Sequence, residues 1–168
     1  MEFESILLKK EGPIATIILN RAEKRNAINR SMMEEIPVAV QEVSQDDNIR
    51  VLVLTGAGKS FCSGADTDLM GGGADSGGGE RNIESLRRSF MFQASKKMIL
   101  GIRKLEIPTI AMVNGACVGA GFDLALSCDM RTGSEYSRFL CGFTRLGLFP
   151  GFGATWFYPR IMGTSKAL

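Results

Sequence analysis

The 168-residue chain contains no histidine, one tryptophan and two tyrosines, and its four cysteines stand far apart at positions 62, 117, 128 and 141. Without histidine, and without any C-x-x-C pair, the usual zinc sites and every Ser-His or Cys-His catalytic arrangement are excluded, so no metal site is expected. The scattered cysteines read as reduced, small, buried side chains. Acid-base chemistry is left to carboxylates, lysine, tyrosine, cysteine or bound water. Long apolar runs are missing too. No window approaches the roughly 18 apolar residues of a membrane span, and MEFESILLKK lacks the basic and apolar regions of a secretion signal. Runs of like charge are equally absent: 20 Lys and Arg against 18 Asp and Glu, interspersed, leave a net charge of +2 and no electrostatic footprint for nucleic acid. A cytoplasmic protein with neither nucleic acid nor membrane as partner is the expectation.

What is present is enough apolar sequence, 45% of residues, to build one globular domain over 1–168. Residues 3–8 and 13–19, joined by Glu11-Gly12-Pro13, predict a β-hairpin. Met33, Ile36, Val40 and Val43 recur at helical spacing and predict a helix over about 31–46, with Pro37 kinking it or marking its start. RVLVLT at 50–55 reads as a buried strand. GGGADSGGG at 71–79 reads as a mobile loop. From Ile83, steps of three and four through Leu86, Phe90, Ala94, Met98, Ile102 and Leu105 predict a long helix ending before Pro108. A strand at 108–113, a short helix through Phe122 to Asp129 and a strand near Phe139–Cys141 follow. Strands alternating with helices predict an α/β fold of parallel βαβ units.

Two glycine-rich turns imitate nucleotide motifs without completing them. GAGKS at 56–60 ends like a P-loop, but the first glycine of that pattern falls on Val53. Gly119-Ala120-Gly121 begins like a dinucleotide fingerprint, but its third glycine falls on Leu124. A repeated device remains: FCSGADTDL follows one strand and GACVGAGFDL another, each placing small residues at a strand-to-helix turn. Unpaired N–H groups at two such turns, side by side, can aim two donors at one anionic oxygen. Small residues let a carbonyl approach the main chain there. Close packing of helix on strand explains the same spacing equally well.

The residues resemble a known family. IPTIAMVNGACVGAGFDLALSCDMR and FCSGAD resemble the two hallmark segments of the crotonase, or enoyl-CoA hydratase/isomerase, superfamily. NRAEKRNAI resembles its nucleotide-closing segment, and LGLFPGFGATWFYPRIMG its later G-x-x-P-x-x-G stretch. The resemblance spans essentially the whole chain. It implies a crotonase-like spiral of ββα units, acyl-CoA thioesters as substrates with coenzyme A as part of the substrate and no separate cofactor, and homotrimers or dimers of trimers. It implies that Ala65 and Ala120 supply backbone donors to the thioester oxygen. It implies that Ala65, Asp66, Thr67 and Asp68 fall on the segment lining the CoA pantetheine and adenine, that Lys24 and Arg25 sit near where its phosphates would lie, and that Ala27, Gly119, Gly121 and Phe143 are further substrate-binding residues.

The departures bear on the reaction. Hydratases of the superfamily use two glutamates, and here Asp123 occupies the first position and Phe143 the second. Some ring-opening isomerases carry an aspartate directly after the late proline, where this chain has Gly151. One carboxylate suffices to shuttle a proton between the α and γ carbons of an enoyl thioester, so isomerisation with Asp123 as base is favoured. Hydration, or a non-catalytic acyl-CoA-binding homologue, are the alternatives. Asp129 reads as structural, and Glu135 as solvent-exposed; Glu80 and Glu84, also read as exposed, border the glycine-rich loop and could swing into the site. Relatives usually continue past the equivalent of Leu168 with further helices. A truncated chain that leaves Phe149, Trp156, Phe157 and Ile161 in need of a partner is therefore expected.

Overall fold

The computed structural model describes residues 3–71 and 90–168. Most of the glycine-rich segment, Glu80, Glu84 and the start of the long helix at Ile83 lie outside the described residues.

The chain opens with the expected hairpin, β1 (Ile6–Glu11) and β2 (Ile14–Leu19), paired antiparallel from Ile6 opposite Leu19 to Glu11 opposite Ile14. Helix α1 (Arg30–Ser44) starts where Asn29 caps it: the Met32 amide donates to Asn29 Oδ1 at 2.9 Å. Pro37 lies inside this helix and is not its start. The local cost of an internal proline, about 3 kcal/mol, is offset by burial of Met32, Met33, Ile36, Ala39, Val40 and Val43 along one face.

Three ββα passages follow. The first is β3 (Val51–Gly56), β4 (Ser60–Cys62), then α2 (Thr67–Gly71) and α3 (Phe90–Arg103). The second is β5 (Thr109–Val113), β6 (Ala116–Val118) and α4 (Ala120–Ser127). The third is β7 (Met130–Gly133), β8 (Arg138–Leu140), a 3-10 turn at Thr144–Leu146, then α5 (Ala154–Met162) and α6 (Thr164–Ala167). The first strand of each passage joins a five-stranded sheet ordered β1-β2-β3-β5-β7, and the second joins a three-stranded sheet ordered β4-β6-β8. Among the described residues every strand pairing except the hairpin is parallel. The expected spiral of ββα units is thus present, with a second sheet that periodicity had not disclosed.

Two asparagines fix the turn between β3 and β4. Buried Asn26 donates from Nδ2 to the carbonyls of Ala57 and Ser60 at 2.9 and 2.8 Å, and Asn114 donates to those of Gly56 and Gly58, both at 2.9 Å. The GAGKS segment is therefore a strand-to-strand connection. One expectation fails: Phe157 does not stand exposed with Phe149, Trp156 and Ile161. It is 4% exposed against 81%, 50% and 44% for the others, because its ring packs over Gly153 and carries α5 onto the core.

Candidate active site

Strands β4 and β6 determine what their loops can do. Cys62 pairs with Cys117 after a one-residue irregularity that follows the Ser60 and Ala116 pair. Ala65 and Ala120 each stand three residues beyond that pair, past the ends of the two strands, so the small-residue turns leave the sheet at matching points. Ala65 is held in a parallel bridge with Ile28: the Ile28 amide donates to the Gly64 carbonyl, and the Asp66 amide to the Ile28 carbonyl, both at 2.8 Å. That pattern leaves the Ala65 N–H pointing away from its bridge partner. Ala120 is the first residue of α4, where a helical N–H has no partner within the helix. Among the described residues neither amide donates a hydrogen bond.

Glycine is required at two places here. Gly119 has φ 51° as α4 begins, and a Cβ at Gly121 would stand 2.6 Å from Cys62 Cβ and 2.7 Å from the Cys62 carbonyl oxygen. The two turns also approach each other: a Cβ built on Gly64 would lie 3.2 Å from the Val118 carbonyl oxygen and 4.0 Å from the Ala120 nitrogen.

One turn into α4, Asp123 is 0% exposed, and neither carboxylate oxygen has a hydrogen-bond partner among the described residues. Burial pushes its carboxyl up from the ordinary 3.8 to about 7. The Tyr158 hydroxyl and the Phe152 amide lie close enough to oppose that rise in part, though neither reaches hydrogen-bond geometry. Burial likewise pushes the Cys62 thiol up to about 12 and raises that of Cys117, so both stay protonated near neutral pH. A protonatable carboxylate in an apolar setting, beside unpaired amides, suits removal and return of a carbon-bound proton.

The other sequence-predicted residues fall into two groups. Phe143 is close to the site, its ring 3.8 Å from where a Gly119 Cβ would stand. Lys24 and Arg25 are exposed on the 3-10 turn before α1, with Ala27 just beyond. Asp66 pairs with Arg21 at 2.8 Å and accepts from the Asp68 amide at 3.2 Å, so its carboxylate is occupied in fastening α2; the Arg21 hydrogen bond holds it below the usual range. Thr67 and Asp68 are exposed. Asp129 is structural, accepting from the Thr109 amide and hydroxyl at 3.0 and 2.8 Å and from Arg103 at 3.1 Å. Glu135 is exposed. Sequence reasoning missed Tyr158, whose buried hydroxyl faces Asp123 from α5. Its only mark in the sequence is a tyrosine within an otherwise apolar FYP segment.

Among the described residues no helix is long and apolar enough to cross a membrane, and no three His, Cys, Asp or Glu side chains cluster as metal ligands. Paired ββα turns over a buried carboxylate define a protein of the crotonase type. Residues 9–168 match the family model described as Enoyl-CoA hydratase/isomerase, and the chain belongs to that family. It is 36% identical over 166 residues to a probable enoyl-CoA hydratase of Mycobacterium tuberculosis, covering 99% of this chain and 61% of that protein. It is 36% identical over 173 residues to the 1,2-epoxyphenylacetyl-CoA isomerase of Escherichia coli, covering 100% of this chain and 61% of the isomerase. A crystal structure of an enoyl-CoA hydratase subunit from Geobacillus kaustophilus superposes with a TM-score of 0.85 at 34% identity, over 100% of this chain and 61% of that one. The chain thus spans about three fifths of the length of these relatives.

Proposed function

We propose that the chain binds an enoyl-CoA thioester and isomerises its double bond, with Asp123 as the single acid-base group. The observation that carries this reading is the buried, unpartnered Asp123 carboxylate one turn from the unpaired Ala120 amide. The carboxylate takes a proton from the α carbon, the electron pair of that C–H bond moves into the thioester, and negative charge collects on its oxygen. The Ala65 and Ala120 amides receive that charge, each contributing roughly 3–4 kcal/mol in comparable sites. Asp123 then returns the proton to the γ carbon, and no separate cofactor takes part. Lys24 and Arg25 meet the CoA phosphates. Gly119, Gly121 and Phe143 wall the acyl carbons, and the segment Ala65 to Asp68 follows the rest of the CoA. The exposed Phe149, Trp156 and Ile161 fit a homotrimer or a dimer of trimers.

Hydration is the second reading, supported by the names of relatives such as the mycobacterial hydratase. Against it stands Phe143, whose ring cannot hold water where hydratases use a second acid. Incubation with a panel of acyl-CoAs in deuterated water, read by mass spectrometry, separates the readings. Deuterium uptake with a moved double bond and no added water is expected. Gain of one water would replace isomerisation by hydration, and binding with neither change would make the chain a non-catalytic acyl-CoA binder.

A further inference from the structure

Among the described residues, three buried side-chain oxygens lack a hydrogen-bond partner: both carboxylate oxygens of Asp123 and the hydroxyl of Tyr158. They belong to two helices, α4 and α5, that pack against each other. A buried polar atom without a partner is costly, and three of them gathered in one place are not scattered defects. They are also complementary. An ionised carboxylate only accepts hydrogen bonds, and a neutral phenol has one to donate.

The surroundings hold Tyr158 where it is. Its ring lies 5.1 Å from that of Phe122, the residue before Asp123, and Phe139 lies 5.2 Å from Phe122 on β8. Tyr158 is 5% exposed, and α5 is anchored at its start by Phe157 packing over Gly153. The titratable groups facing the pair are Cys117 on β6, beside Asp123, and Cys141 after β8, beside Tyr158, with Cys62 on β4 standing against Cys117. Burial first, and then the Asp123 charge, raise the Tyr158 hydroxyl well above its ordinary 10, so it remains a neutral donor at physiological pH. Phe143, although close, offers the carboxylate no hydrogen bond.

We infer that Tyr158 is a positioning residue for Asp123: its hydroxyl turns to donate a hydrogen bond to the carboxylate once that group is ionised, fixing which oxygen faces the substrate. The inference rests on the reading of Asp123 as the base. The donor stabilises only the ionised form, so it makes the base available at lower pH than burial alone would allow.

The test is a carbon-13 NMR titration of the Asp123 carboxyl, assigned by its loss in Asp123→Asn, and it needs no turnover. In Tyr158→Phe the Asp123 midpoint should rise by about one pH unit, a tenfold change in proton affinity. An unchanged or lowered midpoint in a folded variant overturns the inference. If Tyr158→Phe fails to fold, fluorotyrosine can be introduced in a Tyr136→Phe background, which labels position 158 alone because the chain has two tyrosines and Tyr136 is exposed. The more acidic phenol should then lower the Asp123 midpoint, and no change again counts against the role. In turnover assays Tyr158→Phe should move the acid limb of the kcat profile upward by the same amount while leaving KM within about twofold. Should Asp123→Asn keep its solvent exchange, the base assignment fails, even if the midpoint still follows Tyr158.

Discussion

The two ends of α4 treat an aspartate in opposite ways. Where the helix begins, Asp123 is sealed from water and neither oxygen has a hydrogen-bond partner among the described residues. Just beyond its last turn, Asp129 accepts three hydrogen bonds with its side chain 48% exposed, and it ties the exit of the helix to the start of β5. The second arrangement is what folding alone favours, since each bond to a charged group contributes about 1.5–3 kcal/mol. The first runs against folding, because a buried carboxylate without donors must either stay protonated or bear the cost of its charge. Six positions along the chain therefore separate a carboxylate that serves the fold from one that the fold merely tolerates.

The sharpest way to break this contrast is to exchange each acid for its amide. Asp123→Asn should lower solvent-proton exchange by about 10²–10⁴-fold, the usual contribution of a general base. It should at the same time stabilise the protein. With its carboxyl near 7 when folded and 3.8 when exposed, the folded chain keeps a proton that the unfolded chain loses between those values. Wild-type stability therefore falls as pH rises through that window, by up to roughly 4 kcal/mol. The amide does not titrate, so urea denaturation should find the variant more stable than wild type at pH 8, with the advantage gone near pH 4. A variant both inactive and less stable at pH 8 would mean that Asp123 serves the fold as Asp129 does.

Ala120→Pro comes next. Proline suits the first position of a helix, so far-UV circular dichroism should change little, yet the donor N–H disappears. Turnover should fall about 10²–10³-fold with CoA affinity mostly kept, as measured by kcat and by calorimetry. Asp129→Asn should do the reverse, losing about 1–3 kcal/mol in denaturant titration while kcat, measured on the folded fraction, stays within a few-fold. The smallest effect belongs to Lys24→Ala. It should weaken CoA binding a few-fold in low salt and less in high salt, because an exposed charge is screened; an effect insensitive to salt would argue against a phosphate contact.

How much of this was legible in the chain follows from length scales. The hairpin, α1, β3, β5 and α4 announce themselves by apolar spacing and appear within a few residues of where spacing puts them. Strands β4 and β6 do not. Each is three residues long, set among glycines and serines, and exists because Cys62 meets Cys117, 55 positions further along the chain. Helix α5 was hidden by Pro159 and by aromatics that follow no clear period. The places of Asp123, Ala65 and Ala120 came from motif resemblance, whereas the approach of Tyr158 to Asp123 depends on α5 folding back onto α4. The occupation of Asp66 by Arg21 was equally invisible, since it joins the end of the hairpin to the start of α2.

The irregular pairing of β4 with β6 also works as a ruler. Neighbouring strands in any sheet stand about 4.8 Å apart. Ala65 and Ala120 lie just past the ends of β4 and β6, so the spacing of those strands sets the scale on which the two turns approach each other. The extra residue between Ser60 and Cys62 lets Cys62 pair with Cys117, so the two turns begin at matching points beyond one pair. That extra residue, Phe61, is also fully buried, so the residue that aligns the two turns is at the same time part of the core that holds the sheet.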